Sequence, residues 1–333
     1  MKLFFTKMQS CGNDYIYVDC MKNEYEKKMN FSELSKKLSR RKFSIGADGI
    51  ILICRSVVAD AKMVMYNADS SEGKMCGNGI RCVAKYLYEI LKIKKNNLKI
   101  ETKSGIKEIK IFSDPKNEGL VSNIEVNMGK AEFSPKKIAV DVEKVAYLNR
   151  LWYEKEYIQS SSKNKKLGNK NFISDFNDIT HKLDSIINFP IAIENSKYFL
   201  NCVSMGNPHC VLVFTESINS VNLEKIATDF ENSKIFLDGV NIEIINVKDK
   251  SSIDFRVWER GSQETLSCGT GACASFAVLK KLNLVNGIAP LHVNLKGGEL
   301  TVFNKNLQSS TKEEENIFLS GPAEIIYSGF VNI

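Results

Sequence analysis

The sequence predicts an α/β fold, α+β mixed, built as two structurally similar domains. Three observations predict it. The chain has 333 residues, long for one compact core and comfortable for two. The stretches KMCGNGIRCVAKYL (Lys74–Leu87) and LSCGTGACASFAVL (Leu266–Leu279) carry one device twice: Cys-Gly-polar-Gly, a second cysteine close behind, then apolar residues at helical spacing. Strand-like runs accompany each of them. The halves differ too much in side chains for a solenoid repeat, so two similar domains, each contributing one such cysteine, are the simpler reading.

The elements follow in order. Two short β-rich runs, Leu3–Met8 and Tyr15–Asp19, are joined through a Gly-Asn-Asp turn. Residues Phe31–Arg41 read as a helix capped by Ser32, with Leu34 and Leu38 four apart. GIILIC and AKMVMYNA are strand-like, and Val83, Leu87 and Ile90 set a helix over Gly79–Lys92. LKIETKSGIKEIKIF alternates like a hairpin with Ser-Gly in its turn. A strand ends near Gly129, Pro135 follows, and the first domain boundary is placed there. Tyr147–Ile187 is polar, rich in lysine and asparagine and poorly periodic, and reads as an insertion more than a core element. Strands resume at KYFLNCVSMG, HCVLVF, NIEIINVKD and IDFRVWERG. A helix follows with Ala272, Phe276 and Leu279 on one face, and the chain ends strand-turn-strand in IFLSGPAEIIYSGFVNI.

Composition excludes several classes. Hydrophobic residues at 43% and charged residues at 26% are ordinary for a globular protein. No apolar run approaches the roughly 18 residues of a membrane span, and a lysine inside the short N-terminal apolar stretch, with no cleavage-site pattern, argues against a signal peptide; the expected location is the cytoplasm. Nine cysteines are too sparse for a disulfide scaffold in a chain this long. The net charge of +7 comes from dispersed lysines, without the basic–aromatic clustering of a nucleic-acid surface. No nucleic acid and no membrane are expected as partners; a homodimer is compatible.

A cysteine just before a first helical turn, where Asn78 or Thr270 can cap, meets free N–H groups and the positive end of the helix dipole. That place favours a thiolate, and equally a ligand carboxylate. The flanking glycines let a substrate come close to the backbone. Two such cysteines opposed across a cleft would supply a base on one face of a stereocentre and an acid on the other, which inverts it. The plainer readings are core cysteines, to which Cys82 and Cys273 are assigned, or a zinc or dithiol centre. The last two want Cys-x-x-Cys, whereas here five and four residues intervene. No phosphate loop is present.

At these motifs the chain resembles the diaminopimelate epimerase family, amino-acid epimerases and racemases that work without pyridoxal phosphate. The likeness rests on GNDY (Gly12–Tyr15), IGADGIIL (Ile45–Leu52), YNADSSEGKMCGNGIRCVAKYL (Tyr66–Leu87), SMGNPHCVLV (Ser204–Val213), DGVNIEIINV (Asp238–Val247), RVWERGSQETLSCGTGACASFAV (Arg256–Val278) and SGPAEIIYSG (Ser320–Gly329). It implies two pseudo-symmetric domains, each a curved mixed sheet wrapped round a central helix, with the active site in the cleft between them. The implied domains are 1–129 completed by 320–333, and 130–319 including the insertion at about 147–187. It implies epimerisation of LL- to meso-diaminopimelate for lysine and peptidoglycan synthesis, with no cofactor and no metal. By the same resemblance Cys76 and Cys268 are the acid/base pair, and Gly77, Asn78, Gly269 and Thr270 hold the reacting carboxylate. Asn13, Asn67, Asn207, Asn241 and Arg260 touch substrate, Arg260 through a bidentate fork on the distal carboxylate. His209 and Glu259 tune the cysteines or hold the α-amino group. Each asparagine by itself reads as a turn former. Two departures stand out: Cys11 lies beside the first motif, and Gly49 stands where many members have glutamine. The alternatives are a racemase of the histidine, lanthionine or proline type, although proline racemases carry Cys-Gly-His in the first motif, and a thiol redox or metal-binding protein.

Overall fold

Strand β1 (Lys2–Ser10) and strand β2 (Asn13–Asp19) form a hairpin, with Ser10 opposite Asn13. The two residues between them, Cys11 and Gly12, have φ of 50° and 80°. Two left-handed residues in a two-residue loop match the twist of paired strands, so the turn is Cys-Gly rather than the expected Gly-Asn-Asp. The computed structural model describes residues 1–23, 25–117, 119–161, 184–287, 289–305 and 316–333. Its contacts divide these into two compact units: unit 1 is Met1–Gly129, Leu266–Thr270 and His292–Ile333, and unit 2 is Lys130–Thr265 and Gly271–Leu291.

In unit 1, β2 continues into the short helix α1 (Cys20–Asn23), and helix α2 (Phe31–Leu38) follows. The cap of α2 is Asn30, whose side chain accepts from the Glu33 N–H at 3.3 Å. Ser32, the expected cap, instead donates to the Ser70 carbonyl at 2.8 Å, and the helix stops at Leu38, short of Arg41. Strand β3 (Gly49–Cys54) pairs parallel with β2 and antiparallel with β4 (Ala61–Asn67), which carries the two-residue strand β5 (Glu72–Gly73). Helix α3 (Gly77–Glu89) is the first motif's helix. Beyond it, β6 (Asn97–Thr102) pairs parallel with β4, and β7 (Gly105–Ser113) and β8 (Val121–Gly129) follow antiparallel.

In unit 2 come helix α4 (Pro135–Ile138), helix α5 (Val142–Ser161) and a separate hairpin of β9 (Phe189–Ile193) and β10 (Ser196–Leu200). Then β11 (Cys202–Ser204) and β12 (Pro208–Phe214) pair antiparallel. Helix α6 (Leu223–Ser233) leads to β13 (Asn241–Asp249), which runs parallel to β12 and antiparallel to β14 (Ser252–Glu259), itself paired with β15 (Gln263–Thr265). Helix α7 (Gly269–Lys281) follows the second motif's cysteine. The last strands are β16 (Leu291–Leu295), β17 (Gly298–Asn304), β18 (Ile317–Gly321) and β19 (Glu324–Asn332). In unit 1, β19 pairs with β1, and β18 joins β8 to β17.

Mixed parallel and antiparallel pairing is therefore present in both units, as expected of a mixed α/β chain. In unit 1, α3 touches β1, β2 and β19 from one end of the strand order and β7 and β8 from the other, so the sheet curls round it. Every residue of α3 except Lys85 is buried, which is what a helix enclosed by a sheet requires. Unit 2 has its own core, in which Phe230, Leu200, Ile191 and Ile244 pack together.

The segment read as a polar insertion, Tyr147–Ile187, divides in two. Its first part continues helix α5, which packs on β9; Val145 and Ala146 are buried, Asn149 donates to the Pro190 carbonyl at 2.6 Å, and the Trp152 ring lies 5.2 Å from that of Phe199. Residues 162–183 lie outside the described residues. Among the described residues no helix is long and apolar enough to cross a membrane.

Candidate active site

The first cysteine caps its own helix. Cys76 has extended backbone (φ −131°, ψ 120°), and its sulfur accepts the Gly79 N–H at 3.3 Å. Cys76, not Asn78, is thus the N-cap, and its sulfur lies at the positive end of the helix dipole. The same sulfur lies 3.3 Å from Asn13 Oδ1. Asn13 turns its oxygen that way because its amide nitrogen donates to Asp48 Oδ2 at 2.9 Å, an oxygen that also takes the Asp14 N–H at 3.0 Å. Burial pushes the Asp48 carboxyl up, while Arg41, 2.9 Å away, works against that.

A second group ties the two motifs together within unit 1. Asn78 Nδ2 donates to Ser267 Oγ at 2.6 Å, and Asn78 Oδ1 accepts from Arg81 Nη2 at 2.7 Å. Arg81 is fully buried and also donates to the Gly77 carbonyl at 3.1 Å and to Ser10 Oγ at 2.5 Å. A Cβ added to Gly77 would come within 3.6 Å of Gly269 Cα, and one on Gly269 within 2.8 Å of Leu319 Cδ2. The residues that follow each cysteine approach closely, which only small residues allow. Cys268 lies 3.4 Å from Thr270 Oγ1 and is 5% exposed, whereas Cys76 is partly exposed.

Asn67 adjoins the segment that carries Asp48, where the Ala68 N–H donates to the Asp48 carbonyl at 2.9 Å. It holds a turn, with Nδ2 donating to Ser71 Oγ at 2.9 Å, and it stands opposite Gly49 in the β3–β4 ladder. At Gly49 a Cβ would lie 2.1 Å from the Tyr66 carbonyl oxygen. This backbone has no room there for any side chain, so a glutamine contact is closed off by packing.

The remaining expected residues meet in unit 2. His209 stands opposite Asn241 in the β12–β13 ladder and is fully buried. Its Nδ1 lies 2.7 Å from Glu243 Oε1, and its Nε2 lies 3.1 Å from Asn207 Oδ1. An imidazolium beside a carboxylate, or a neutral Nε2–H ring beside a protonated Glu243, satisfies both contacts. Burial pushes the Glu243 carboxyl up, opposed by His209. Asn241 Oδ1 accepts the Arg260 N–H at 2.8 Å, and Arg260 Nη1 donates to the Asp238 carbonyl at 2.6 Å. Glu259 Oε1 accepts from Thr265 Oγ1 at 2.6 Å. The guanidinium of Arg260 is exposed.

Three residues the sequence reading missed complete these groups: Asp48, Arg81 and Glu243. A signal existed for two of them. Glu243 interrupts the apolar run Ile242–Ile245, and Arg81 lies among the apolar positions of α3; a charge in such a place is buried only when partnered. Asp48 lies within the motif IGADGIIL, but nothing in that stretch announces its partner Asn13, which comes from a distant part of the chain.

This fold and these paired helix starts define a class. A hydroxyproline epimerase from Agrobacterium vitis, solved with bound trans-4-hydroxy-L-proline, superposes with a TM-score of 0.64 at 13% identity, over 99% of this chain and 92% of that one. A phenazine biosynthesis protein of the PhzF family from Bacillus anthracis superposes with a TM-score of 0.63 at 18% identity, over 100% of both chains. At those identities the likeness is one of fold. The profile of the diaminopimelate epimerase family matches residues 5–134 and 201–326. The diaminopimelate epimerase of Halothermothrix orenii is 37% identical over 335 residues, covering 100% of this chain and 99% of that protein. The chain belongs to the diaminopimelate epimerase family and is an isomerase. Between the two matched blocks lie α4, α5 and the β9–β10 hairpin.

Proposed function

We propose that this chain interconverts LL- and meso-2,6-diaminopimelate, for lysine and peptidoglycan synthesis, by a two-base exchange at the α-carbon. Cys76 and Cys268 are the two bases. One thiolate removes the α-proton while the other thiol delivers a proton from the opposite face, so the product leaves the two protonation states exchanged. The observation that carries this reading is the pair of hydrogen bonds at the Cys76 sulfur, which accepts the Gly79 N–H and whose thiol donates to Asn13 Oδ1: the N–H and the helix dipole favour the thiolate, the Asn13 oxygen the thiol, as suits a group that both takes and returns a proton.

The backbone starts at Gly77, Asn78, Gly269 and Thr270 receive the reacting carboxylate. Asn13, Asn67, Asn207, Asn241 and Arg260 position the substrate, and the exposed fork of Arg260 takes the distal carboxylate. Glu259 holds the α-amino group. His209, fully buried between Asn207 and Glu243, acts by positioning Asn207. The reaction takes place in the cytoplasm, where reducing conditions keep both thiols available.

The test replaces each cysteine by serine, whose hydroxyl is a poor base near neutral pH. Net inversion falls by several orders of magnitude in both variants. Exchange of the α-hydrogen in heavy water, followed by proton NMR, survives for one stereoisomer in one variant and for the other isomer in its counterpart. Full epimerase activity in either folded variant sinks the two-base reading. Activity of the intact chain on another amino acid but not on diaminopimelate sinks the substrate.

A further inference from the structure

Far from these groups, unit 1 carries a second set of sulfur ligands. Strands β2 and β3 run parallel, with Val18 opposite Leu52 and Asp19 opposite Ile53, so Cys20 and Cys54 come side by side where the strands end. Glu26, in the single 3-10 turn Tyr25–Lys27, folds back onto them. The two sulfurs and a carboxylate oxygen of Glu26 all lie within 4.8 Å of one another. Among the described residues, this is the one such group of three histidine, cysteine, aspartate or glutamate side chains. Cys20 begins α1, seven residues after Asn13; at about 3.3 Å per strand residue the cluster lies roughly 20 Å from the Asn13 amide. It takes no part in the chemistry proposed above.

The surroundings are apolar. Cys20 is 0% and Cys54 5% exposed, within a core that includes Val18, Tyr25, Phe31 and Leu38. Glu26 Oε2 is buried there and has no hydrogen-bond partner. A carboxylate oxygen held out of water without a donor is costly, and a cation is what would satisfy it. Two sulfurs and one carboxylate oxygen suit a borderline-soft divalent ion that accepts tetrahedral geometry, which describes zinc.

We propose that Cys20, Cys54 and Glu26 form a zinc site, its fourth position taken by water. Binding exchanges two thiol protons for one dication: two sulfur–zinc bonds form, two S–H bonds break, and two protons leave to solvent. The net charge of the cluster is unchanged, so the core acquires no uncompensated charge. The site clips α1 and the 3-10 turn to the end of β3. No spacing rule points to it, since thirty-three residues separate the two cysteines.

The experiment uses the full chain, purified under reductant without chelator, with metal content measured by mass spectrometry and the metal-free protein titrated with cobalt(II). One zinc per chain is expected, along with a near-ultraviolet thiolate–cobalt charge-transfer band and two protons released per metal bound. Cys20→Ala and Cys54→Ala abolish the band, while Cys76→Ala retains it. Glu26→Gln spares both sulfurs, guards against misfolding of the cysteine variants, and weakens zinc binding roughly tenfold or more. A chelator lowers the melting temperature of the wild type but changes Glu26→Gln less, and leaves epimerase activity per folded molecule unchanged. The proposal is overturned by absence of the thiolate–cobalt band, by a band that survives in Cys20→Ala, by a band lost instead in Cys76→Ala, or by a Cys20–Cys54 disulfide in protein produced with ample zinc.

Discussion

Asn13 faces two groups at once, and only one orientation of its amide suits both. Its nitrogen is fixed on Asp48, so its oxygen meets the Cys76 sulfur. If Asn13 positions substrate beside that sulfur, Asp48 is its positioning residue. Asp48→Ala frees the amide to rotate and lowers kcat about a hundredfold, the scale of a misplaced catalytic contact, with KM changing far less. Asp48→Asn keeps an acceptor and restores much of the rate. Steady-state kinetics of the two variants check this, and equal losses in both would show that the carboxylate acts some other way. Residues such as Asp48 set the limit of what the sequence displays. Cys76, Cys268, His209 and Arg260 are legible because each lies in a dense local motif. Asp48 lies in a motif too, IGADGIIL, but its role becomes visible only once β2, β3 and the start of α3 are brought together, and no spacing encodes that. Glu243 and Arg81 lie between these cases: their apolar neighbours mark them as buried, but their partners His209 and Asn78 come from folding.

Among the elements, the two motif helices are plain in the sequence, while their caps are not. Cap preferences are known for oxygen side chains, and that preference points to Asn78; the structure uses the Cys76 sulfur two residues earlier and releases Asn78 to reach Ser267. Helix α5 is hidden for another reason, since its apolar residues do not form one stripe and it packs on a hairpin with Trp152 and Asn149 instead. The close approach of the helix starts makes a graded prediction. An alanine at Gly269 meets Leu319 Cδ2 at 2.8 Å, whereas one at Gly77 meets it at 3.2 Å. Gly269→Ala therefore destabilises by about 1–3 kcal/mol and loses more activity than Gly77→Ala, measured by thermal melts and kcat. Helix α6 carries a pH-dependent contribution. Burial alone would raise the Asp229 carboxyl, but hydrogen bonds from Lys225 and from Tyr198, the latter at 2.8 Å, hold it below its ordinary 3.8. A depressed carboxyl stabilises the fold above the unfolded value and loses that contribution as pH falls through the folded value. Asp229→Ala accordingly costs about 1–3 kcal/mol near neutrality, and urea melts should show the gap to wild type closing below pH 3.8. A gap independent of pH would mean that lost packing, rather than the charge, is responsible.

Taken as a whole, the molecule sorts its thiols by access. None of the nine cysteines is joined in a disulfide; eight are buried, and Cys76 alone is not. Three of the buried thiols, Cys82, Cys202 and Cys210, are pushed up chiefly by burial, Cys82 to about 12. A protonated, enclosed thiol is a poor nucleophile, whereas an accessible sulfur at a helix start that accepts a backbone N–H is a good one. Limiting iodoacetamide should therefore place a single label on the native chain, at Cys76, with activity lost in step with labelling. Saturating diaminopimelate should slow the reaction by covering the sulfur, and in denaturant all nine positions should react. Peptide mapping after partial alkylation gives the site directly. Labelling that begins at Cys11 or Cys268 would mean that the native chain opens in a way its buried surfaces do not display. Labelling at Cys76 without loss of activity would remove this thiol from the reaction, because a carboxamidomethylated sulfur can neither take nor return a proton.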